Sequence, residues 1–261
     1  MIENFVFATG KQPKESDPRT LALSSYLTPS TPTPPASVDW GSKVPDWGML
    51  GNDTVGDCAW AGQAHADMLW SSDASGKPVP ITTQQVLAAY SAVTGYNPND
   101  NGPNGNPTDK GTQLLAALRY WRKTGIDKQT IKAFVEVDPQ NVDHVKLAID
   151  LFGCAYVGVE LPDAVLPTSP TSIPPWTVTP NGAPANQPDP SNGHCIIYSA
   201  YDADGPTVVT WGTTVPCSWG FHSAYCDEAY AMIAPSFFSK GMDPAGFNLT
   251  QLEDDLKAIK K

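Results

Sequence analysis

The sequence predicts an α+β fold in which helices fill the first half and antiparallel strands the second. Three observations carry that expectation. Three Pro-free stretches, at 58–72, 82–94 and 111–124, read as helices. Two β-rich runs, at 194–201 and 207–211, flank Asp202-Ala203-Asp204-Gly205-Pro206, which has the make-up of a five-residue hairpin loop. Helices and strands are segregated along the chain, which argues against a parallel βαβ sheet.

Residues 1–34 are extended and proline-rich, with Tyr26-Leu27-Thr28-Pro29 and then Thr31-Pro32-Thr33-Pro34-Pro35. Proline has no N–H to donate and a fixed φ, so this arm is expected to wrap a surface in polyproline-like form. Val38-Asp39-Trp40 and Val44-Pro45-Asp46-Trp47 supply apolar anchors after it. Gly51, Asn52, Asp53 and Gly56 are turn signals before the first helix, where Trp60, Ala61, Ala64, Met68 and Leu69 recur at helical spacing. Residues 97–110 are Asn-, Gly-, Pro- and Asp-rich loop. Asp138-Pro139 reads as N-cap and first residue of a helix ending near Phe152-Gly153, followed by a strand at 154–161. Nine prolines among the 29 residues of 162–190 mark a long excursion. Residues 221–233 read as helix and then strand. Thr250-Gln251-Leu252-Glu253 is a capping box opening a helix with Leu252, Leu256 and Ile259 on one face.

Composition narrows the function classes. With 261 residues, 41% of them hydrophobic, the chain is long enough to bury a core without covalent staples. Its 27 Asp and Glu against 16 Lys and Arg give a net charge of −11 and no cationic cluster, so nucleic acid is not an expected partner. No apolar run reaches membrane-spanning length, and no membrane partner is expected. The first 20 residues lack the charged and apolar regions of a secretion signal, which points to a cytoplasmic or virus-particle location. Five widely spaced Cys form no CxxC or zinc-ligand pattern, so reduced thiols are expected. Gly102-Pro103-Asn104-Gly105 lacks the Lys and Ser/Thr of a phosphate loop, and neither 97–101 nor 202–204 has calcium-loop spacing. No cofactor or metal is expected.

Cys58 is the residue with chemistry in reach. A Cys opening a helix faces unpaired N–H groups and the positive end of the helix dipole, and both favour the nucleophilic thiolate. Of the four His, His65 lies two turns further along the same helix, about 10 Å away by helical rise. His144 and His222 sit in ordinary helix-like stretches, whereas His194 opens a strand just after the long excursion, where a base would meet a cleft. If Tyr201 pairs with Thr207, then Thr210, Gly212 and Thr214 share the face of His194 and Val209 does not.

This order of residues resembles the papain-like cysteine peptidases. Pro35-Ala36-Ser37-Val38-Asp39-Trp40 is similar to the opening of their mature chains. Gly56-Asp57-Cys58 stands where Gly-Ser-Cys would be, with Ala59 in place of the usual Trp. Asn52 stands six residues before the Cys, where the family has its oxyanion-hole Gln. Asp109-Lys110-Gly111-Thr112 is similar to the Gly-rich substrate wall, Gly193-His194-Cys195-Ile196-Ile197 to the His strand, and Thr210-Trp211-Gly212 to the Ser-Trp-Gly end. The family's orienting Asn is replaced by Val209, which cannot accept a hydrogen bond, and Thr210 is the candidate orienter. The resemblance implies a papain-like fold, with a helical left half around the Cys-bearing helix and an antiparallel β-barrel-like right half. It divides the chain into an arm at 1–34, a papain-like domain at 35–235 and a C-terminal extension at 236–261.

What the resemblance implies for function is a thiol hydrolase or peptidase. Cys58 would be the nucleophile, His194 the base, Asn52 an oxyanion donor and Thr210 the orienter, with Asp57, Lys110, Gly111, Gly193, Trp211 and Trp176 lining the substrate cleft. Peptide or protein would be the substrate. The alternative is a catalytically degenerate domain that binds peptides or partners, or serves as a structural component of a virus particle, with assembly contacts through 1–34 or 236–261. Two further expectations concern the flanks. Trp176 in the 162–190 loop would plug the cleft or anchor a surface loop, and deleting 168–186 would leave the fold intact. The arm would pack on the domain without inhibiting it.

Overall fold

The computed structural model describes residues 7–103, 105–169, 172–178, 183–237 and 246–259. Residues 1–6 of the arm, parts of the proline-rich loop, residues 238–245 of the C-terminal extension and the side chain of Ile259 lie outside them. After the arm come β1 (Val38–Asp39), α1 (Cys58–Ser75), α2 (Thr83–Thr94) and α3 (Leu114–Lys123). The rest runs β2 (Ala133–Val137), α4 (Val142–Phe152), β3 (Ala155–Glu160), β4 (Gly193–Tyr201), β5 (Pro206–Thr210), β6 (Thr213–Pro216), α5 (Trp219–Tyr225), β7 (Cys226–Ile233) and α6 (Leu249–Ile259).

The strands form one antiparallel sheet of order β2-β7-β3-β4-β5-β6, with β1 paired to β4. Among the described residues this sheet stays open, so the right half is barrel-like only in a loose sense. Its central strands are buried on both faces, and strand alternation divides them between two cores. Tyr156, Cys195, Ile197, Tyr230 and Met232 face the core built on α1, α2 and α3. Val157, Ile196, Tyr198, Ala229 and Ala231 face the core under α4, α5 and α6. Both faces being covered explains why these strands read as nearly continuous apolar runs.

Two side-chain bonds lock α1 onto its surroundings. Tyr156 Oη donates to the Ala59 carbonyl at 2.7 Å, and Gln63 Nε2 donates to the Ala117 carbonyl at 2.8 Å. The first turn of α1 is therefore pinned to β3, and this fixes where Cys58 sits.

Several boundaries differ from the expectation. Helix α4 is capped by Asn141, whose side chain accepts the His144 N–H, and it starts at Val142 after Asp138-Pro139. Asn248 caps α6 by accepting the Gln251 N–H, two residues ahead of the expected capping box. Strands β2 and β6 have no counterpart in the sequence reading.

Candidate active site

The turn leading into α1 carries Leu50 and Gly51 at positive φ, which folds Asn52 back under the helix start. Asn52 Nδ2 donates to the Val55 carbonyl at 3.0 Å and to the Ala8 carbonyl of the arm at 3.3 Å. Asp57 occupies the N-cap position without capping, and neither of its carboxyl oxygens has a partner among the described residues. Burial, then the nearby Asp109 carboxylate, pushes its pKa well above the usual carboxylate range. Cys58 Sγ accepts the Cys195 N–H at 3.3 Å. The thiol is fully buried, and burial pushes its pKa up to about 12 against the opposing pull of that N–H. The other four Cys are also free and buried.

On the sheet side, His194 Nε2 and Thr210 Oγ1 lie 2.6 Å apart. The Trp211 ring stacks on the imidazole, 4.4 Å between centroids and 19° from parallel. Trp211 has φ +45°, a left-handed conformation that is strained for a bulky residue and that sets its ring over His194. His194 Nδ1 has no hydrogen-bond partner among the described residues, and burial drives the ring pKa down to about 3.

The arm runs through the cleft between these walls. Gly10 and Lys11 donate backbone N–H bonds to the Gly193 carbonyl at 2.9 and 2.8 Å. Thr112 N–H donates to the Gly10 carbonyl, and Gln12 N–H to the Thr112 carbonyl, at 2.7 and 3.0 Å. Ala8 O accepts from Asn52 Nδ2 and, at 3.1 Å, from Trp211 Nε1, while Phe7 stacks on Trp211. A Cβ on Gly111 would lie 2.1 Å from Gly10 O, and one on Gly193 would lie 2.3 Å from Lys11 O. Both positions must be glycine for a backbone to pass this close. The arm therefore packs on the domain, as expected, and residues 8–12 lie across the candidate residues.

The remaining expected cleft residues separate. Lys110 is exposed, and its carbonyl accepts from Gln12 Nε2 of the arm. Trp176 is not a plug. It is fully buried behind Trp211 and against Phe221, with backbone bonds to Pro216 and Ser218. Deleting 168–186 would thus remove a core side chain. His65 is a satisfied core histidine, bonded to Gly48 O at 3.0 Å, and His222 bonds Tyr198 Oη and Pro139 O.

Sequence reading missed Lys11, Asp227, Glu228 and the linking role of Asp109. Asp109 accepts from the Gly56 N–H and from Tyr90 Oη, and Tyr90 Oη in turn accepts from the Gly111 N–H. The available signal was Asp227-Glu228, an acidic pair at the head of an otherwise apolar strand.

The fold is that of the papain-like cysteine proteases. The chain is similar over 90% of its length to xylellain from Xylella fastidiosa, with 98% of that chain covered, 13% identity and a TM-score of 0.63. It is similar over 84% of its length to the proform of the ragweed pollen protease Amb a 11, with 71% of that chain covered, 14% identity and a TM-score of 0.52. A Carica candamarcensis cysteine protease, solved in complex with E-64, matches over 77% of this chain and 99% of its own at 14% identity and a TM-score of 0.51. No protein-family model matches the sequence, and no curated protein matches it either.

Proposed function

We propose that the protein is a thiol hydrolase of peptide, amide or ester bonds, held latent by its own residues 8–12. One observation carries this reading: the cleft between Gly193 and Thr112 already binds an extended backbone, and a carbonyl oxygen of that backbone rests on Asn52 Nδ2 and Trp211 Nε1. A substrate that took the arm's place would offer its own carbonyl to the same donors.

With the cleft opened to water, the desolvation that keeps Cys58 and His194 neutral falls, and proton transfer from thiol to imidazole becomes favourable. Thr210 holds Nε2, which leaves Nδ1 to take the proton. Sγ then attacks the carbonyl carbon, and the oxyanion is met by Asn52 Nδ2 and by the N–H groups at the start of α1. His194 returns its proton to the leaving amine or alcohol, and water, deprotonated by the same ring, hydrolyses the acyl-Cys58.

The test is the rate of Cys58 alkylation against pH, with the modified site read by mass spectrometry. In the intact chain Cys58 should resist labelling near pH ~6, because it is buried and neutral. After truncation of residues 1–12 it should label selectively at that pH, well ahead of Cys217. If the exposed Cys58 reacts no faster than an ordinary thiol, the hydrolase reading falls and a binding or structural role for the fold replaces it.

A further inference from the structure

We infer that the slot now filled by Lys11 is a recognition pocket for a basic side chain of the peptide that replaces the arm, and that arginine fits it better than lysine. This rests on the hydrolase reading, because it names the substrate class of the same cleft.

The slot is built by a break in strand pairing. Gly158 of β3 pairs with Glu228 of β7, but the next residue, Val159, pairs with Cys226, so Asp227 is a bulged extra residue. In a regular strand two successive side chains point to opposite faces, and a bulge re-aims them. Here Asp227 and Glu228 both reach the same ammonium. Lys11 Nζ lies 2.7 Å from Asp227 Oδ2 and 3.5 Å from Glu228 Oε1, with the Lys11 and Glu228 side chains each only 1% exposed. A Cβ on Gly158 would come within 2.6 Å of both Lys11 Cε and Glu228 Cγ, so the slot has room for a long side chain only because this residue is glycine.

Lysine leaves the slot incompletely satisfied. Glu228 Oε1 and Asp227 Oδ1 are buried with no hydrogen-bond partner among the described residues, while Glu228 Oε2 is taken by Tyr230 Oη at 2.8 Å. An ammonium is a point charge that bonds one carboxylate here. A planar guanidinium, with five N–H groups in a fixed fork, can reach both. An apolar side chain would leave the buried Glu228 carboxylate and the part-buried Asp227 carboxylate without a counter-charge, so the slot discriminates mainly by penalising the wrong occupant. The slot also belongs to the cleft. The Lys11 N–H bonds the Gly193 carbonyl next to His194, and the Lys11 charge is close enough to act on the Cys58 thiol.

The experiment uses the full-length chain carrying Lys11→Met, which keeps an unbranched side chain one atom shorter and removes its charge. Cys58 alkylation by iodoacetamide should rise at least ~10-fold as the arm loses its hold. Two capped hexapeptides of alanine and glycine, identical except for one central arginine or norleucine, are then tested as protectants. The arginine peptide should protect Cys58 at a concentration at least ~10-fold lower than the norleucine peptide, and adding Glu228→Gln should shrink the gap below ~3-fold. Equal protection, no protection or a norleucine preference would overturn the pocket. Protection needs binding and no turnover. Arginine-selective protection of an inert thiol therefore sinks the hydrolase reading alone, and turnover without arginine preference sinks the pocket alone. Should Lys11→Met fail to fold by near-ultraviolet dichroism, full-length Lys11→Arg carries the test. It should slow Cys58 alkylation at least ~3-fold relative to the unmodified chain, and an unchanged or faster rate would overturn the pocket.

Discussion

Two sets of buried polar side chains lie along the arm, and burial acts on them in opposite ways. At Cys58 and His194 it wins outright, raising the thiol to about 12 and lowering the imidazole to about 3, so both are neutral. At Lys11 burial pulls the ammonium down, but the Asp227 charge and hydrogen bond, with Glu228 and Glu160 behind them, outweigh it and leave the pKa raised. The difference lies in the partners. Lys11 has a carboxylate at 2.7 Å, whereas among the described residues His194 Nδ1 has no bonded group and Nε2 has a hydroxyl. A charged set can hold a segment in place, and a neutral set cannot react. On the proposed reading the arm uses the first to enforce the second. Removing it would reverse both, leaving an unfilled acidic slot and a hydrated Cys–His pair.

The largest effect that would test this contrast is acid sensitivity. The folded pKa of His194 is about 3 and that of His65 about 4, against 6.5 for the unperturbed group, with burial as the leading cause in both. A depressed folded pKa contributes stability that is present above pH ~6.5 and lost as pH falls towards the folded value. At 1.36 kcal/mol per pKa unit, each ring should account for about 3–5 kcal/mol over that interval. Urea unfolding between pH 7 and 4 should show the loss, and His65→Gln should remove part of the slope without touching the cleft. Buried carboxyls with raised pKa, such as Asp57, act in the opposite sense, so the difference between the two profiles is the reading, and identical slopes for the unmodified chain and His65→Gln would mean that this ring already exchanges with water.

Next in size is His194→Ala in the arm-opened protein. A thiol at the ordinary pKa of about 8.5 is thiolate to only about one part in 300 at pH 6. Loss of the imidazolium partner should therefore slow Cys58 labelling at that pH by about 100–300-fold. Asn52→Ala should act on a different step. It should reduce turnover of a reactive ester about 100-fold while leaving Cys58 labelling nearly unchanged, because an oxyanion donor is needed only when a carbonyl becomes tetrahedral. If both variants depress labelling equally, Asn52 supports the fold of the α1 entry turn and not an oxyanion.

Parts of this arrangement were legible in the sequence because local rules govern them. A Cys after a turn-rich stretch and before a Pro-free apolar run had to open a helix, and His194 after the proline-rich loop had to open a strand. Thr210 lies beside His194, as the strand alternation required, for an instructive reason. The expected register paired Tyr201 with Thr207, but Tyr201 pairs with Pro206, and an irregularity between Tyr198 and Ala200 shifts it once more, to Ile197 opposite Val209. Two one-residue shifts restore the parity of a period-two strand, so Thr210 still shares the face of His194. The Lys11 contact was not legible. It spans 216 residues, and a Lys in a proline-rich arm reads as solvated. Nor does any local pattern announce the bulge at Asp227. The role of Trp176 stayed open between plug and loop anchor because a lone aromatic in a proline-rich loop looks the same in either place, and its burial against Trp211 and Phe221 makes it an anchor.

The smallest expected effect falls on Thr210, and it is the one that sharpens the contrast most. Thr210→Val keeps the side-chain shape and removes the hydroxyl 2.6 Å from His194 Nε2. The ring would still be stacked under Trp211, so its plane should persist while its rotation about that plane loosens. One hydrogen bond is worth about 0.5–1.5 kcal/mol net, so the opened protein should lose about threefold to tenfold in turnover, well short of His194→Ala. The pH profile separates orientation from bulk structure. Without an acceptor for its Nε2 proton the imidazolium is less stable, so its ionisation should move to lower pH and the alkaline limb of the turnover profile should shift down with it. A loss as large as that of His194→Ala would mean that Thr210 does what a family Asn does. No loss at all would mean that Trp211 alone positions the ring, and that the hydroxyl only satisfies a buried nitrogen in the closed state.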